Sequence, residues 1–160
     1  MSSIQVGHDD FRNAVINTID GIRITRTQHR MAVGMVDEAI EWAFEAPLHS
    51  NFYDVICHGS QSADALAANV CNVKHIVTAQ QLAQLIVAQP DFTGQPVRLL
   101  ACWVGQHADG FAHQLDNLLG YVGVLACTGE LGVGYAEVYP KPGFGWRLFQ
   151  YGQTTLLGEW

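Results

Sequence analysis

The chain carries few charged residues, and few of those are basic. Charged side chains make up 14% of its 160 residues, with 15 acidic residues against eight basic ones and a formal net charge of −7. No run of lysine or arginine occurs, and residues 31–73 contain neither residue type. Because nucleic acids and anionic membrane surfaces attract clustered basic side chains, neither is expected as a general partner.

Long apolar runs are also missing. No stretch approaches the roughly 18–20 consecutive apolar residues of a membrane-spanning helix. The N-terminus lacks the charged-then-apolar order of a secretory signal peptide, which predicts synthesis in the cytoplasm. With 49% apolar residues, the chain has enough to bury a core. We predict one domain over residues 1–160, with a poorly determined part (1–50), a core (51–129) and a C-terminal aromatic and glycine-rich part (130–160).

Cysteine is too sparse for a disulfide-stapled scaffold. The four cysteines are Cys57, Cys71, Cys102 and Cys127. Two of them, Cys57 and Cys102, lie in or at the end of apolar runs, where free cysteine packs as a small hydrophobe. Reduced thiols are therefore expected.

Apolar patterning predicts alternating helices and strands. Helices are predicted over residues 32–45, 78–88 and 109–119, the second from the capping box Thr78-x-x-Gln81. Continuous apolar runs at 52–57, 97–102 and 122–127 predict strands buried on both faces. Ile4–Val6 and Ile22–Ile24 are further candidate strands, and the aromatic residues after Gly129 suggest short antiparallel strands or ordered loops. The alternation predicts an α/β fold with a mostly parallel central sheet and helices on both faces.

A histidine and a cysteine, which can act as base and nucleophile, follow neighbouring predicted strands. His58-Gly59 follows the first strand, and Cys102 ends the second. Sites in open α/β sheets form beyond the carboxyl ends of the strands. There an imidazole can promote the thiolate, which is the reactive species. The backbone N–H groups of Gly59 and Cys102 are candidate donors to an oxyanion.

Other interpretations of these residues stay open. His58 can simply satisfy a hydrogen bond at a strand end, and Cys102 can be a core cysteine. Cys127, at the end of the third strand, is a rival nucleophile, whereas Cys57 is predicted to pack. Cys71 and His75 have usable zinc-ligand spacing, but no Cys-x-x-Cys or His-Glu-x-x-His motif accompanies them. No metal site is therefore predicted.

The two strand-end motifs resemble those of the caspase-like cysteine peptidases of clan CD. They are Val55-Ile56-Cys57-His58-Gly59-Ser60 and Leu99-Leu100-Ala101-Cys102-Trp103-Val104-Gly105. Over residues 53–129 the layout is more similar to the small bacterial branch found in polymorphic-toxin and Rhs-type effectors. The resemblance implies a three-layer caspase-haemoglobinase-like fold, with His58 as catalytic histidine and Cys102 as nucleophile. The Gln-Ala-Cys-x-Gly signature of true caspases is absent, so cleavage after aspartate is not carried over.

The resulting expectation is a cysteine peptidase with a His58/Cys102 dyad and no cofactor. The resemblance implies either a bacterial effector or toxin, delivered to a target cell by a specialised secretion system, or a self-processing domain. The expected partners are a protein or peptide substrate and a cognate immunity or regulatory protein. Three carboxylates, Asp64, Asp109 and Glu130, are candidates for a pocket that takes a basic side chain. Activation by inositol phosphate is not expected, because no basic cluster exists to hold it. The alternative is a non-catalytic binding or adaptor domain that keeps the fold.

Overall fold

A computed structural model describes residues 14–47, 51–134 and 137–158. These residues form thirteen β-strands and three α-helices. In chain order the elements are β1 (Val15–Ile19), β2 (Ile22–Arg26), β3 (Arg30–Val33), α1 (Glu38–Glu45), β4 (Tyr53–Ile56), β5 (Gly59–Ser60), β6 (Ala65–Val70), β7 (Val73–Val77), α2 (Ala79–Val87), β8 (Val97–Leu100), α3 (Phe111–Leu118), β9 (Val124–Cys127), β10 (Leu131–Gly134), β11 (Glu137–Pro140), β12 (Trp146–Gln150) and β13 (Gln153–Gly158).

The prediction of a mostly parallel, caspase-haemoglobinase-like fold is wrong. The main sheet has eight strands in the order β1-β2-β3-β4-β8-β9-β12-β13. Its four central strands, β3, β4, β8 and β9, are parallel, but every pairing outside them is antiparallel. Strand dominates over helix, and the sheet is mixed. The predicted parallel pairing of β4, β8 and β9 is confirmed within this sheet.

Tight hairpins at the two ends of the chain produce the antiparallel edges. Asp20-Gly21 joins β1 to β2, and Tyr151-Gly152 joins β12 to β13. All four of these residues have positive φ, as a two-residue hairpin turn with the twist of its strands requires. Ile22–Ile24 falls in β2, as predicted, whereas Ile4–Val6 lies outside the described residues.

The predicted helix over 32–45 is wrong in its first third. Residues 30–33 form β3, which is fully buried between β2 and β4. Gly34 then takes a φ of +90°, and α1 begins only after its N-cap, Asp37. A short apolar run fits a buried strand and a helix face equally well by periodicity, and the free edge of β4 decides for the strand.

The connection from β4 to β8 holds a hairpin that the sequence analysis did not predict. β6 and β7 pair around Cys71-Asn72, both at positive φ, and β5 extends them into a three-stranded sheet. Alanine-rich β6 carries little strand signal. The helices predicted over 78–88 and 109–119 are confirmed as α2 and α3, and α2 has the capping box of Thr78.

Two hydrophobic cores lie on the two faces of the main sheet. One contains the buried faces of α2, α3 and β6, packed on Val55, Leu99 and Ala126. The other contains Ile40, Ala43 and Phe44 of α1 and Leu131 of β10. The site described next lies at the edge of this second core.

Candidate functional site

His58 and Cys102 follow two adjacent parallel strands. Ile56, the last residue of β4, is paired in register with Leu100, the last residue of β8. His58 and Cys102 each come two residues later, so both lie at the same edge of the sheet. This is the placement expected for a site at the carboxyl ends of parallel strands.

One cavity contains both candidate residues. Its volume is about 140 Å³, and its lining includes His58 and Cys102 together with apolar side chains from α1, β4, β8 and β10. The side chain of His58 is 46% exposed, and Cys102 is half-buried. A thiol and an imidazole therefore share a space that opens to solvent.

Gly59 brings the two loops into backbone contact. A Cβ on residue 59 would overlap the carbonyl oxygen of Cys102, so only glycine fits here. The segment is held from the other side, where the Ala67 N–H donates to the His58 carbonyl at 2.8 Å. The His-Gly pair thus packs directly on the residue predicted to be the nucleophile.

A carboxylate that the sequence analysis did not single out orients His58. Oδ2 of Asp37 lies 2.5 Å from Nε2 of His58. Oδ1 of the same side chain accepts the N–H of Ile40 at 2.9 Å and caps α1. Burial alone would raise the pKa of Asp37, but these hydrogen bonds and the charge of His58 outweigh it and lower the pKa. With Nε2 engaged, Nδ1 is the ring nitrogen left for reacting groups.

The far end of α1 is anchored by a buried ionic cluster, which we call the Arg30–Asp54–Arg98 cluster. Arg30 donates to the carbonyls of Phe44 at 2.6 Å and Pro47 at 2.9 Å. Asp54 accepts from Arg30 Nε at 2.8 Å and from Arg98 Nη2 at 2.7 Å. These donors satisfy helix carbonyls that α1 leaves open and favour its negative end. α1 is therefore held at both ends, and Asp37 with it.

The surroundings of Cys102 suit a nucleophile held at a turn. The Leu131 N–H donates to Sγ of Cys102 at 3.3 Å and fixes the position of the sulfur. Trp103, the next residue, has a φ of +70°, an uncommon conformation for a bulky side chain. Within the described part of the chain, the Cys102 N–H donates to no carbonyl, so it is free to donate to an oxyanion.

The other three cysteines are in different settings. Cys127 is buried, and burial raises the pKa of its thiol to about 11. Burial likewise raises the pKa of Cys57 to about 12. Cys71 is exposed at the tip of the β6–β7 hairpin. Of the four thiols, only Cys102 is both partly accessible and on the lining of the cavity that contains the His58 imidazole.

The three carboxylates predicted to form a specificity pocket lie apart from this cavity. Oδ2 of Asp64 accepts the N–H of Phe111 at 3.1 Å and so caps the start of α3. Asp109 is exposed, and Glu130 is exposed with Lys141 3.8 Å away. None of the three lines the cavity of His58 and Cys102.

The described residues contain neither a metal-ligand cluster nor a membrane-spanning helix. Across residues 14–47, 51–134 and 137–158, no group of three or more His, Cys, Asp or Glu side chains is arranged to hold a metal ion. Cys71 and His75 lie on the β6–β7 hairpin without a third such partner. No helix in the same ranges is long and apolar enough to cross a membrane.

A family comparison covers most of this architecture. Residues 31–141, from β3 through the β10–β11 hairpin, match DUF8616, a domain of unknown function. The chain belongs to this family. No curated protein and no solved structure matches the chain significantly. The matched part of the DUF8616 domain includes His58, Cys102 and Asp37.

Asp37 is the residue of the candidate site that sequence reasoning missed. In the helix predicted over 32–45 it falls among the acidic residues opposite the apolar face. The available signal was local: an aspartate before Glu38 fits an N-cap, and Gly34 before it fits a break between strand and helix. Its contact with His58, 21 residues later, had no signature in the sequence.

Proposed function

We propose that the protein is a cysteine peptidase in which Cys102 is the nucleophile, His58 the proton carrier and Asp37 the residue that orients His58. The observation that carries this proposal is the single cavity lined by His58 and Cys102 at the ends of two adjacent parallel strands. The contact between Asp37 and His58 supports it, because a base held by a third group is typical of nucleophilic catalysis.

The reaction takes place in two steps. In the first, His58 takes the proton of the Cys102 thiol while Sγ bonds to the peptide carbonyl carbon, and the carbonyl electron pair moves onto the oxygen, facing the N–H groups of Cys102 and Gly59. The C–N bond then breaks, and protonated His58 gives its proton to the leaving amine. In the second, water attacks the thioester, His58 takes a proton from that water, and the thiol and a carboxylic acid are released.

Asp37 keeps the imidazole in one orientation throughout. Its carboxylate accepts from Nε2, which leaves Nδ1 to exchange protons with the thiol and the leaving amine. It also stabilises the imidazolium that forms within each step. The effector or self-processing setting rests on the sequence resemblance alone, and growth inhibition on expression, abolished by Cys102→Ala, is its test.

Labelling with peptidyl acyloxymethyl ketones tests the proposal. The Cys71→Ser background removes the exposed competing thiol, and peptide mapping by mass spectrometry identifies the modified residue. We expect the ketone to modify Cys102 and to modify no cysteine in Cys102→Ala. In His58→Ala the rate of Cys102 labelling should fall about 10²-fold or more. Hydrolysis of a mixed peptide library should require the same two residues.

Three results would contradict the proposal, each in a different way. Preferential labelling of Cys127 would move the nucleophile to the third parallel strand. A folded protein that neither cleaves peptides nor labels at Cys102 would be a non-catalytic binding domain. Equal rates of Cys102 labelling in the wild type and in His58→Ala would show that the thiol reacts without help from His58, which would rule out the dyad.

A further inference from the structure

The cavity at Cys102 has apolar walls. Eight of its lining residues are aliphatic, among them Ile40, Ala43, Ile56, Leu100, Leu131 and Val133. Among the described residues, the only ionisable groups on its lining are the thiols of Cys57 and Cys102 and the imidazole of His58. An acidic or basic side chain placed here would lose its hydration without finding a partner of opposite charge.

The volume of this cavity sets the size of its occupant. At about 140 Å³, it is close to the apolar cavities of about 150 Å³ that stay dry and take a benzene-sized molecule. A leucine-sized aliphatic side chain or a small ring fills such a space.

A second, polar cavity is also lined by His58. It has a volume of about 390 Å³, and its lining includes Gly59 and, from the β6–β7 hairpin, Asn69, Asn72 and Lys74. Asn69 and Lys74 are directly opposite in register, so their side chains leave the same face of the hairpin. No carboxylate of the described residues lines this cavity. An ammonium and two amides favour a ligand that carries a carboxylate.

The roles proposed above assign each cavity to one side of the scissile bond. Cys102 attacks the carbonyl of the residue before that bond, and His58 protonates the amine of the residue after it. The cavity that holds both groups therefore receives the side chain before the bond. The second cavity, which is lined by His58 but not by Cys102, receives the residue after it.

We infer that the substrate is a peptide with a leucine-sized apolar residue before the scissile bond and an acidic residue after it. This inference rests on the proposed function, and it replaces the basic-residue pocket expected at Asp64, Asp109 and Glu130. The apolar side chain enters the cavity between α1 and β10, and the acidic side chain meets Lys74.

Two probe sets test the two halves. Acyloxymethyl ketones ending in leucine, aspartate or arginine report on the residue before the bond, through the rate of Cys102 labelling. Internally quenched peptides with leucine before the bond and aspartate or lysine after it report on the other side. We expect leucine to exceed aspartate and arginine by tenfold or more, and aspartate to exceed lysine by a similar factor.

Matched variants connect each preference to its cavity. Ala43→Val fills the interior, and Ala39→Leu narrows the mouth from an exposed position where the core is not disturbed. Both should slow the leucine probe several-fold more than an alanine probe. Lys74→Glu should reverse the preference after the bond, whereas Lys141→Glu, at the only other lysine of the chain, should not change it.

The outcomes distinguish this inference from the function on which it rests. If Cys102 is labelled in a His58-dependent way but the aspartate or arginine probe is fastest, the specificity is wrong and the peptidase proposal stands. An unchanged preference in Lys74→Glu overturns the acidic half alone. If no probe labels Cys102 and no peptide is cleaved by the folded protein, both proposals fail.

Discussion

The backbone of Gly59 lies against the backbone of Cys102 so closely that a Cβ on residue 59 would overlap the Cys102 carbonyl oxygen. Replacement by alanine must therefore shift one of the two loops. We expect Gly59→Ala to lower the rate of Cys102 labelling about 10²-fold, because a displacement near 1 Å is enough for such a loss. The free energy of unfolding should fall by about 1–3 kcal/mol, measured by urea denaturation.

The matched control for this glycine is Gly134 in β10. A Cβ there would meet its nearest atom, Cγ of Glu137, at an ordinary 3.5 Å. Gly134→Ala should leave the rate of Cys102 labelling unchanged. It should change the free energy of unfolding by no more than about 1 kcal/mol. Wild-type labelling in Gly59→Ala would show that the contact does not position Cys102.

Asp37 has two roles that substitutions can separate. Asparagine and serine cap helices about as well as aspartate, so Asp37→Asn and Asp37→Ser should keep the stability of α1 within about 0.5 kcal/mol. Neither variant offers a carboxylate to Nε2 of His58. We expect peptide cleavage to fall about 10²–10⁴-fold in both, with thermal melts close to wild type. Unchanged cleavage in the two variants would remove Asp37 from the mechanism.

The raised pKa values of two buried thiols predict how the cysteines react with iodoacetamide. The values are about 12 for Cys57 and about 11 for Cys127, so both stay protonated at pH 8. In the native protein at pH 8, only Cys71 and Cys102 should be alkylated, as read by mass spectrometry. Unfolding in urea should expose all four. Alkylation of Cys127 in the native state would contradict this pattern.

The raised pKa values of Cys57 and Cys127 also predict how the free energy of unfolding changes with pH. The unfolded thiols ionise near their ordinary value of 9.0, whereas the folded ones keep their protons. Their contribution to stability is complete below pH 9 and is lost as pH rises through 9 to 12. Urea denaturation of Cys57→Ala should show a weaker fall over this range than the wild type.

Cys102 and Cys57 should respond in opposite ways to truncation. Cys102→Ala removes a half-buried side chain, so it should cost at most about 2 kcal/mol of stability and abolish turnover. Cys57→Ala opens a small cavity in the core and should lower the melting temperature while cleavage persists. Each variant needs a thermal melt and a cleavage rate. Full activity of folded Cys102→Ala would end the thiol mechanism.

The Arg30–Asp54–Arg98 cluster should matter for stability far more than a surface pair does. The side chains of Arg30 and Asp54 are 0% and 1% exposed, so Asp54→Ala leaves buried positive charge without its carboxylate. We expect a loss of about 3–5 kcal/mol by urea denaturation. Asp91→Ala, which breaks the partly exposed pair with Arg26, should cost about 1 kcal/mol or less. Similar losses in both variants would contradict the role of burial.

Local patterns predicted the elements that do not depend on a distant partner. The capping box at Thr78 and the apolar stripe after it specify α2 through contacts within one turn. β4, β8 and β9 are buried on both faces, and this produces the continuous apolar runs by which they were predicted. The positions of His58 and Cys102 at one sheet edge followed from these strands alone.

Tertiary structure decided the sheet's mixed character and the composition of the site. β3 is a strand rather than a helix because β4 offers it hydrogen bonds, and alanine-rich β6 is a strand because β7 pairs with it. Asp37 contacts His58 only because Arg30 and Asp54 seat the far end of α1 on the sheet. Periodicity reports which face of a segment is buried, and it carries no information about which segment covers that face. For that reason the sequence alone pointed to the two candidate residues, and only the packed chain determined what orients His58 and what lines the shared cavity.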